Sequence, residues 1–247
     1  MTADANVQLP VGAMLRQLRW SVSSERAAEF ERWYAEEHLR DVVDVPGILA
    51  GRVFERVELD FSSTSAFNYL TVYEIDSASA FETPESRKLA DSPSDWTRRV
   101  AFDLPMDSEY YTALSPAAGA IVTAAGVVET DRQPIGHALL HVMMDCDPNL
   151  EEEFQRWYDE EHVARLLRAP GVHSARRFRA DAAGPEGLPF LAVYELEDEA
   201  VVQSEAFLSA SAPTPWRERL GAGLRSHVQV YRRRFCAESS REGSGDG

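Results

Sequence analysis

The sequence predicts an α+β fold: two tandem units of order β-α-β-β-α-β, whose antiparallel sheets pair face to face into one intramolecular α+β barrel. Three observations carry this. The stretch Glu29 to Gly47, EFERWYAEEHLRDVVDVPG, recurs at Glu153 to Gly171 as EFQRWYDEEHVARLLRAPG, displaced by 124 residues. Ten of its nineteen positions are identical, where chance would give about one. The segments flanking each copy alternate apolar and polar residues with period two. The 247 residues are 44% hydrophobic, ordinary for a chain that buries a core. The repeat sets the bounds: a first unit over 12–115, a linker over 116–134, a second unit over 135–236 and a disordered tail over 237–247.

The elements follow in order. Residues 1 to about 12 read as a loose leader. Met14 to Val22 is a strand. Ser23 and Ser24 suit an N-cap, and a helix runs from about Glu25 to Val45. Pro46-Gly47 stops it, because proline disfavours helical geometry before it and glycine permits the turn. Arg52 to Leu59 and Phe67 to Ile75 alternate with period two and form a hairpin across a Ser/Thr-rich loop. A weaker helix covers Ser77 to about Ala90, interrupted near Pro84. A helical piece around Trp96 to Ala101 and a strand from Glu109 to Leu114 close the unit. The second unit repeats this with a strand at Gly136 to Met144 and a helix at about Asn149 to Ala169, behind Asp147-Pro148. A strand pair follows at Ser174 to Arg179 and Leu188 to Leu196, then a helix near Glu199 to Ala210 and a closing strand at His227 to Phe235. Tyr73-Glu74 recurs as Tyr194-Glu195. This order is the ferredoxin-like arrangement. Helices cover one face of each sheet, and the sister sheet covers the other. The linker, SPAAGAIVTAAGVVETDRQP, is too apolar to be solvated and is expected to lie against the surface.

Composition narrows the function. There are 25 basic and 41 acidic residues, net −16, which argues against a phosphate backbone as partner. Cys146 and Cys236 stand in no disulfide or zinc spacing, and reduced thiols point to a cytoplasmic protein. The first ten residues lack a signal peptide's basic and apolar regions, and no apolar run is long enough to span a membrane. No serine-hydrolase elbow, phosphate-binding loop, zinc-protease or dinucleotide motif occurs.

A helical wheel selects the candidate site. At about 100° per residue, Phe30, Trp33, Tyr34 and Val42 form a buried stripe, with Glu37 at its centre and His38 at its flank. Phe154, Trp157, Tyr158, Glu161, His162 and Leu166 repeat it. Glu36 and Arg40 fall outside as an exposed salt link. A carboxylate and an imidazole facing a core need partners or a function. As structure, Glu37 would cap loop amides or pair with Arg99, and His38 would bond a carbonyl. As function, His38 and His162 would project into a cavity between helix and sheet, where a neutral imidazole moves a proton near pH 7. Trp96, Trp216, Tyr73 and Tyr194 suit two equivalent cores, or would wall a pocket for a flat substrate together with Trp33 and Trp157.

The motif W-Y-x-E-E-H followed by P-G, on the first helix of such a unit, resembles the EthD-like branch of the dimeric α/β barrel superfamily. The resemblance spans nearly the whole chain, twice. It implies an association of two units and a mostly apolar pocket between each sheet and its helices. Its relatives include isomerases, dehydratases, cofactor-free monooxygenases and haem-dependent chlorite dismutase-like proteins. The EthD-like histidine carries over to His38 and His162. The expected activity is cofactor-independent proton transfer on a hydrophobic, polyketide-like substrate, of isomerase, dehydratase or cyclase type. His162 and His38 would be base or acid, with Glu161, Glu37, Tyr158 or Tyr34 orienting the imidazole or stabilising an enolate. A cofactor-free monooxygenase and a non-catalytic ligand-binding protein are the alternatives. A haem would need an axial ligand, for which His162 or His227 would serve; nothing in the sequence demands one, and no metal site is expected.

The halves differ. His38 is the first unit's histidine, whereas His137, His141, His162, His173 and His227 lie in the second. His141 stands where the first unit has Gln17, and His227, Gln229 and Tyr231 share one strand face. The second unit is therefore expected to keep the working pocket, with His141 and His227 as further substrate contacts. The expected partner is a small hydrophobic molecule, with neither nucleic acid nor membrane. The chain forms its own pseudo-dimer, and further homodimerisation is left open.

Overall fold

Alternating side chains give each sheet two apolar faces, and the chain covers both with its own elements. The computed structural model describes residues 7–116, 120–182 and 184–240. After β1 (Gln8–Pro10), the first unit runs β2 (Met14–Trp20), α1 (Ser24–Trp33), a π-helical turn (Tyr34–His38), α2 (Leu39–Val43), β3 (Ile48–Val57), β4 (Tyr69–Ile75), α3 (Pro84–Asp91), α4 (Asp95–Ala101) and β5 (Met106–Ser115). The connection holds β6 (Ala120–Thr123), β7 (Gly126–Glu129) and β8 (Arg132–Pro134). The second unit runs β9 (Ala138–Asp145), α5 (Glu151–Trp157), a second π-helical turn (Tyr158–His162), α6 (Val163–Leu166), β10 (Val172–Ala180), β11 (Phe190–Leu196), α7 (Glu205–Ser211), α8 (Pro215–Arg219) and β12 (Arg225–Glu238).

Eight antiparallel strands close in the order β11-β9-β12-β3-β4-β2-β5-β10, with β10 returning to β11. The units meet at two seams, β12 on β3 and β5 on β10. Closure removes the free edges that each sheet alone would expose. Three cores result. Phe30, Trp33, Tyr34 and Val43 pack helix on sheet in the first unit, and Phe154, Tyr158, Leu166 and Phe207 do so in the second. The lumen holds Leu15, Phe54, Tyr111, Met143, Phe178 and Tyr231.

Several sequence expectations are corrected. The leader is not loose from residue 7: β1 pairs with β8, and Leu9 is buried; residues 1–6 lie outside the described residues. Ala237 and Glu238, expected to open a disordered tail, instead pair with Gly51 and Ala50 of β3; residues 241–247 lie outside the described residues. The linker lies against the barrel, with Ile121 buried and Val122 paired to Ala175; residues 117–119 are not described. The single helix expected over 25–45 is broken by the π-helical turn. Ser23 occupies its N-cap position without a side-chain bond, whereas Asp147 caps the short 3-10 turn Pro148–Leu150 that leads into α5, through Asn149 N–H at 2.8 Å. Gly47 and Gly171 end the helices at φ of 85° and 86°, where a Cβ is strained.

Candidate active site

In both units a tryptophan ends the first helical run and a histidine ends the π-helical turn. On a straight helix, residues five apart would point about 140° from each other. The wide turns, closed by Leu39 N–H on Tyr34 O and Val163 N–H on Tyr158 O, bring them onto one face. His38 stacks on Trp33 at 4.2 Å between ring centroids, with an interplanar angle of 20°. Tyr34 meets His38 edge-on at 5.2 Å. His162 stacks on Trp157 at 4.6 Å and 26° and meets Tyr158 at 4.8 Å. Among the described residues, no hydrogen bond or ion pair engages either imidazole. Burial lowers the pKa of His38 to about 4. Burial, with Arg165, Arg177 and Arg217 nearby, lowers that of His162 to about 3. Both rings are uncharged at neutral pH.

The carboxylates do other work. Glu37 Oε1 accepts from Ser94 Oγ at 2.5 Å and from Thr97 Oγ1 at 3.1 Å, and Thr97 in turn accepts from Trp33 Nε1 at 3.0 Å. Glu37 thus ties the repeated helix to the start of α4 and fixes the ring on which His38 stacks. Arg99 pairs with Glu29 instead, at 2.9 Å. Glu161 accepts from Trp157 Nε1 at 3.2 Å and from Thr214 Oγ1. Neither glutamate orients its histidine through a hydrogen bond. The exposed salt link joins Arg32 to Glu36 at 3.4 Å rather than Glu36 to Arg40, since the wide turn resets the i,i+4 spacing. Tyr34 OH accepts from Thr71 Oγ1 at 2.9 Å, and burial raises its pKa. Tyr73 lies on the cavity wall below. Their counterparts Tyr158 and Tyr194 bond each other at 3.4 Å.

One unit is open and the other is filled. A cavity of about 510 Å³ lies between helices and sheet in the first unit, and His38, Trp33, Trp20, Tyr73, Phe81 and Arg16 are on its walls. Asp41, Thr97 and Ser86 add polar groups, and Leu89 and Phe102 stand among its lining residues. Burial, then the charges of Glu37 and Asp44, raise the pKa of Asp41. Helix α3 buries no residue. At the matching place in the second unit α7 buries Phe207 in the core cluster that also holds Leu166, Trp157 and Val202. The expectation that the second unit keeps the working pocket therefore meets a filled core, and the space lies beside His38.

His141 and His227 are not on that wall. They face the barrel lumen, where His141 Nε2 meets Gln17 Oε1 at 2.7 Å. His227 meets Glu186 through Nδ1 at 2.7 Å and Gln229 through Nε2 at 3.0 Å. Burial, with Arg19 and His227, lowers the pKa of His141 to about 3. Trp96 and Trp216 lie outside the cavity, beneath Arg32 and Arg156. His137 and His173 are exposed.

Of the two histidines offered by the sequence as haem ligands, His227 has both ring nitrogens engaged, and the half-buried His162 stacks on Trp157. No cluster of three or more metal-ligating side chains occurs among the described residues, nor is any helix there long and apolar enough to cross a membrane.

Arg16, Phe81 and Ser86 were missed by motif reading, since they lie outside the repeated stretch. Comparing the halves position by position would have found them, because Leu140 stands for Arg16 and Phe207 for Ser86.

Residues 137–235 match the family model described as a domain of unknown function (DUF4286). Among curated proteins, none matches the chain significantly. Solved structures share the fold. An anthrone oxidase-like protein superposes with a TM-score of 0.60 at 11% identity, covering 100% of this chain and 99% of its own. A candidate monooxygenase from Lactobacillus acidophilus NCFM gives 0.56 at 10% identity, with 91% and 95% covered. A variant chlorite dismutase from Candidatus Nitrospira defluvii, complexed with cyanide, gives 0.55 at 9% identity, with 89% and 91% covered. The chain has the dimeric α/β barrel fold, built within one polypeptide.

Proposed function

We propose that this chain is an EthD-like enzyme that moves a proton on a hydrophobic, largely planar small molecule held in the first-unit cavity, with His38 as the base. The observation that carries the reading is the His38 imidazole: neutral, without a hydrogen bond, and on the wall of a cavity of about 510 Å³. Trp33 fixes its plane by stacking, and Glu37 fixes Trp33 through Thr97. A base held low by burial is fully available at pH 7 but weak. It gains strength once the enolate it creates pairs with the imidazolium. Return of the proton elsewhere gives isomerisation, loss of a leaving group gives dehydration, and attack on a carbonyl gives cyclisation. The chain would work as its own pseudo-dimer, cofactor-free and in the cytoplasm, with the second unit a structural copy.

Oxygenation is the second reading. The anthrone oxidase-like and monooxygenase neighbours favour it, because a carbanion formed by the same step can react with dioxygen.

Exchange of α-protons tests the proposal. In deuterated buffer the wild-type protein should speed exchange at the carbon beside the carbonyl of anthrone or 2-tetralone, followed by NMR. His38→Ala should lower the rate by about 10² or more, while His162→Ala should retain it. Equal rates in wild type and His38→Ala would remove His38 as the base.

A further inference from the structure

The four arginines buried among the described residues have carboxylates, whereas the half-buried Arg16 on the cavity wall has none. Arg19 is paired with Asp107 and Glu186, Arg52 with Glu195, Arg176 with Glu74 and Arg177 with Asp159. Arg16 forms no ion pair and no hydrogen bond among the described residues, and its Nε is buried without a partner. Its guanidinium instead lies 4.0 Å from the Phe81 ring centre and 5.3 Å from that of Tyr110. Asp41, the carboxylate among the cavity-lining residues, makes no ion pair with it.

The position is not one the fold needs. Arg16 pairs across the sheet with Tyr73, and Leu140 pairs in the same way with Tyr194. The second unit builds the same layer with a leucine. A half-buried guanidinium with no anion beside it and its Nε cut off from water is unfavourable, and Arg16 lines the cavity. Beside it, Trp20 Nε1 and Tyr73 OH are buried without a hydrogen bond of good geometry, with the Tyr34 hydroxyl near both. Leu140 and Met144 replace Arg16 and Trp20 in the filled unit.

We infer that Arg16 is the specificity residue of the first-unit cavity, which takes a polycyclic aromatic molecule whose anionic oxygen lies on the Arg16 guanidinium while its ring system packs on the apolar wall. This deepens the reading that the cavity beside His38 is the active site and rests on it for the site, not for the reaction. The oxyanion has two sources: a carboxylate already present on the ligand, or an enolate or phenolate formed in the pocket. A guanidinium serves both, by charge-assisted hydrogen bonds.

The test uses the full chain and calorimetric titration with three probes: anthracene-9-carboxylate, anthracene-9-carboxamide and 2-naphthol. Wild type should favour the carboxylate over the amide by about tenfold or more. Arg16→Lys should keep part of that preference, and Arg16→Met should lose it while still binding the amide, which shows an intact cavity. With 2-naphthol, a naphtholate absorption band that appears on binding to wild type and not to Arg16→Met assigns an oxyanion formed in the pocket, whichever group takes the proton. Binding without that band assigns a carboxylate brought by the ligand. Equal binding of carboxylate and amide by wild type, or a preference that survives Arg16→Met, overturns the inference. His38→Ala separates the two proposals. If it keeps the carboxylate preference and still exchanges α-protons, the base assignment falls and the Arg16 assignment stands.

Discussion

Arg176 of the second unit grips Glu74 of the first through two hydrogen bonds, of 2.9 and 3.1 Å, inside the closed barrel. The relation is reciprocal: Arg52 of the first unit pairs with Glu195 of the second. Each glutamate also accepts a backbone N–H, Glu74 from Gly12 at 2.9 Å and Glu195 from Gly136 at 3.1 Å. Gln133, from the connection, donates to Glu74 at 2.8 Å. The four charges cancel, and most of their polar atoms are satisfied, as a buried ionic group must be. Cross-pairing ties the register of one unit to that of the other.

Glu74→Ala should therefore destabilise the whole barrel by about 3–5 kcal/mol, because it strands the Arg176 guanidinium. A double cycle with Arg176→Met should recover part of the loss. Two separate unfolding transitions after Glu74→Ala would mean that the units are joined by this network. One transition at lower denaturant would mean that the strand seams suffice.

The filling of the second unit can be transferred. Ser86→Phe should plug the first cavity as Phe207 fills the second, abolishing binding of the anthracene probes at unchanged or higher Tm. Phe207→Ser should cost about 3–5 kcal/mol. Undiminished probe binding by Ser86→Phe, measured by calorimetry, would place the ligand elsewhere.

Acid should destabilise the protein through its histidines. His38, His141 and His162 have folded pKa values near 4, 3 and 3, against an ordinary value near 6.5. Above pH 6.5 each is neutral folded and unfolded, so none affects stability. As pH falls from about 6.5 towards 4 or 3, the unfolded chain takes up the protons and the folded one does not. Each histidine then removes at most about 1.4 kcal/mol per pH unit. His141→Gln should flatten the dependence of denaturant midpoint on pH between about 6.5 and 4. An unchanged slope would show that His141 protonates in the folded state.

Glu37 is a clamp on the cavity wall. Glu37→Ala frees Ser94 and Thr97 and should lower stability by about 1–3 kcal/mol. It should also blunt α-proton exchange through loss of the Trp33 position. Glu37→Gln, which keeps an acceptor oxygen, should restore most of both. Thr97→Val provides the complementary reading, since it leaves Trp33 Nε1 without an acceptor.

Much of this protein was legible in the chain. The repeat, the period-two strands and the Pro-Gly stops specify two β-α-β-β-α-β units, because side-chain spacing alone decides which face is apolar. The W-Y-x-E-E-H motif pointed to the helix that carries His38 and its counterpart that carries His162. The aromatic stripe was also read correctly, with Phe30, Trp33, Tyr34, Phe154 and Tyr158 all buried.

What spacing could not reveal was decided by packing. A wheel of constant pitch misses the π-helical turn, so it could not put His38 over Trp33 or send Glu37 to Ser94. Strand alternation places Arg16 and His141 on definite faces, but only barrel closure says that one face is a lumen and the other a cavity wall. Both units carry the same motif, so the motif is silent on which is open. That was decided at a distance, by the side chain the second helical segment turns inward: Ser86 lines the cavity beside His38, and Phe207 joins the packed core of the second unit. Volume is a property of side chains brought together from remote positions, which is why the sequence by itself determined the units and the histidines, and the tertiary structure alone determined the pocket.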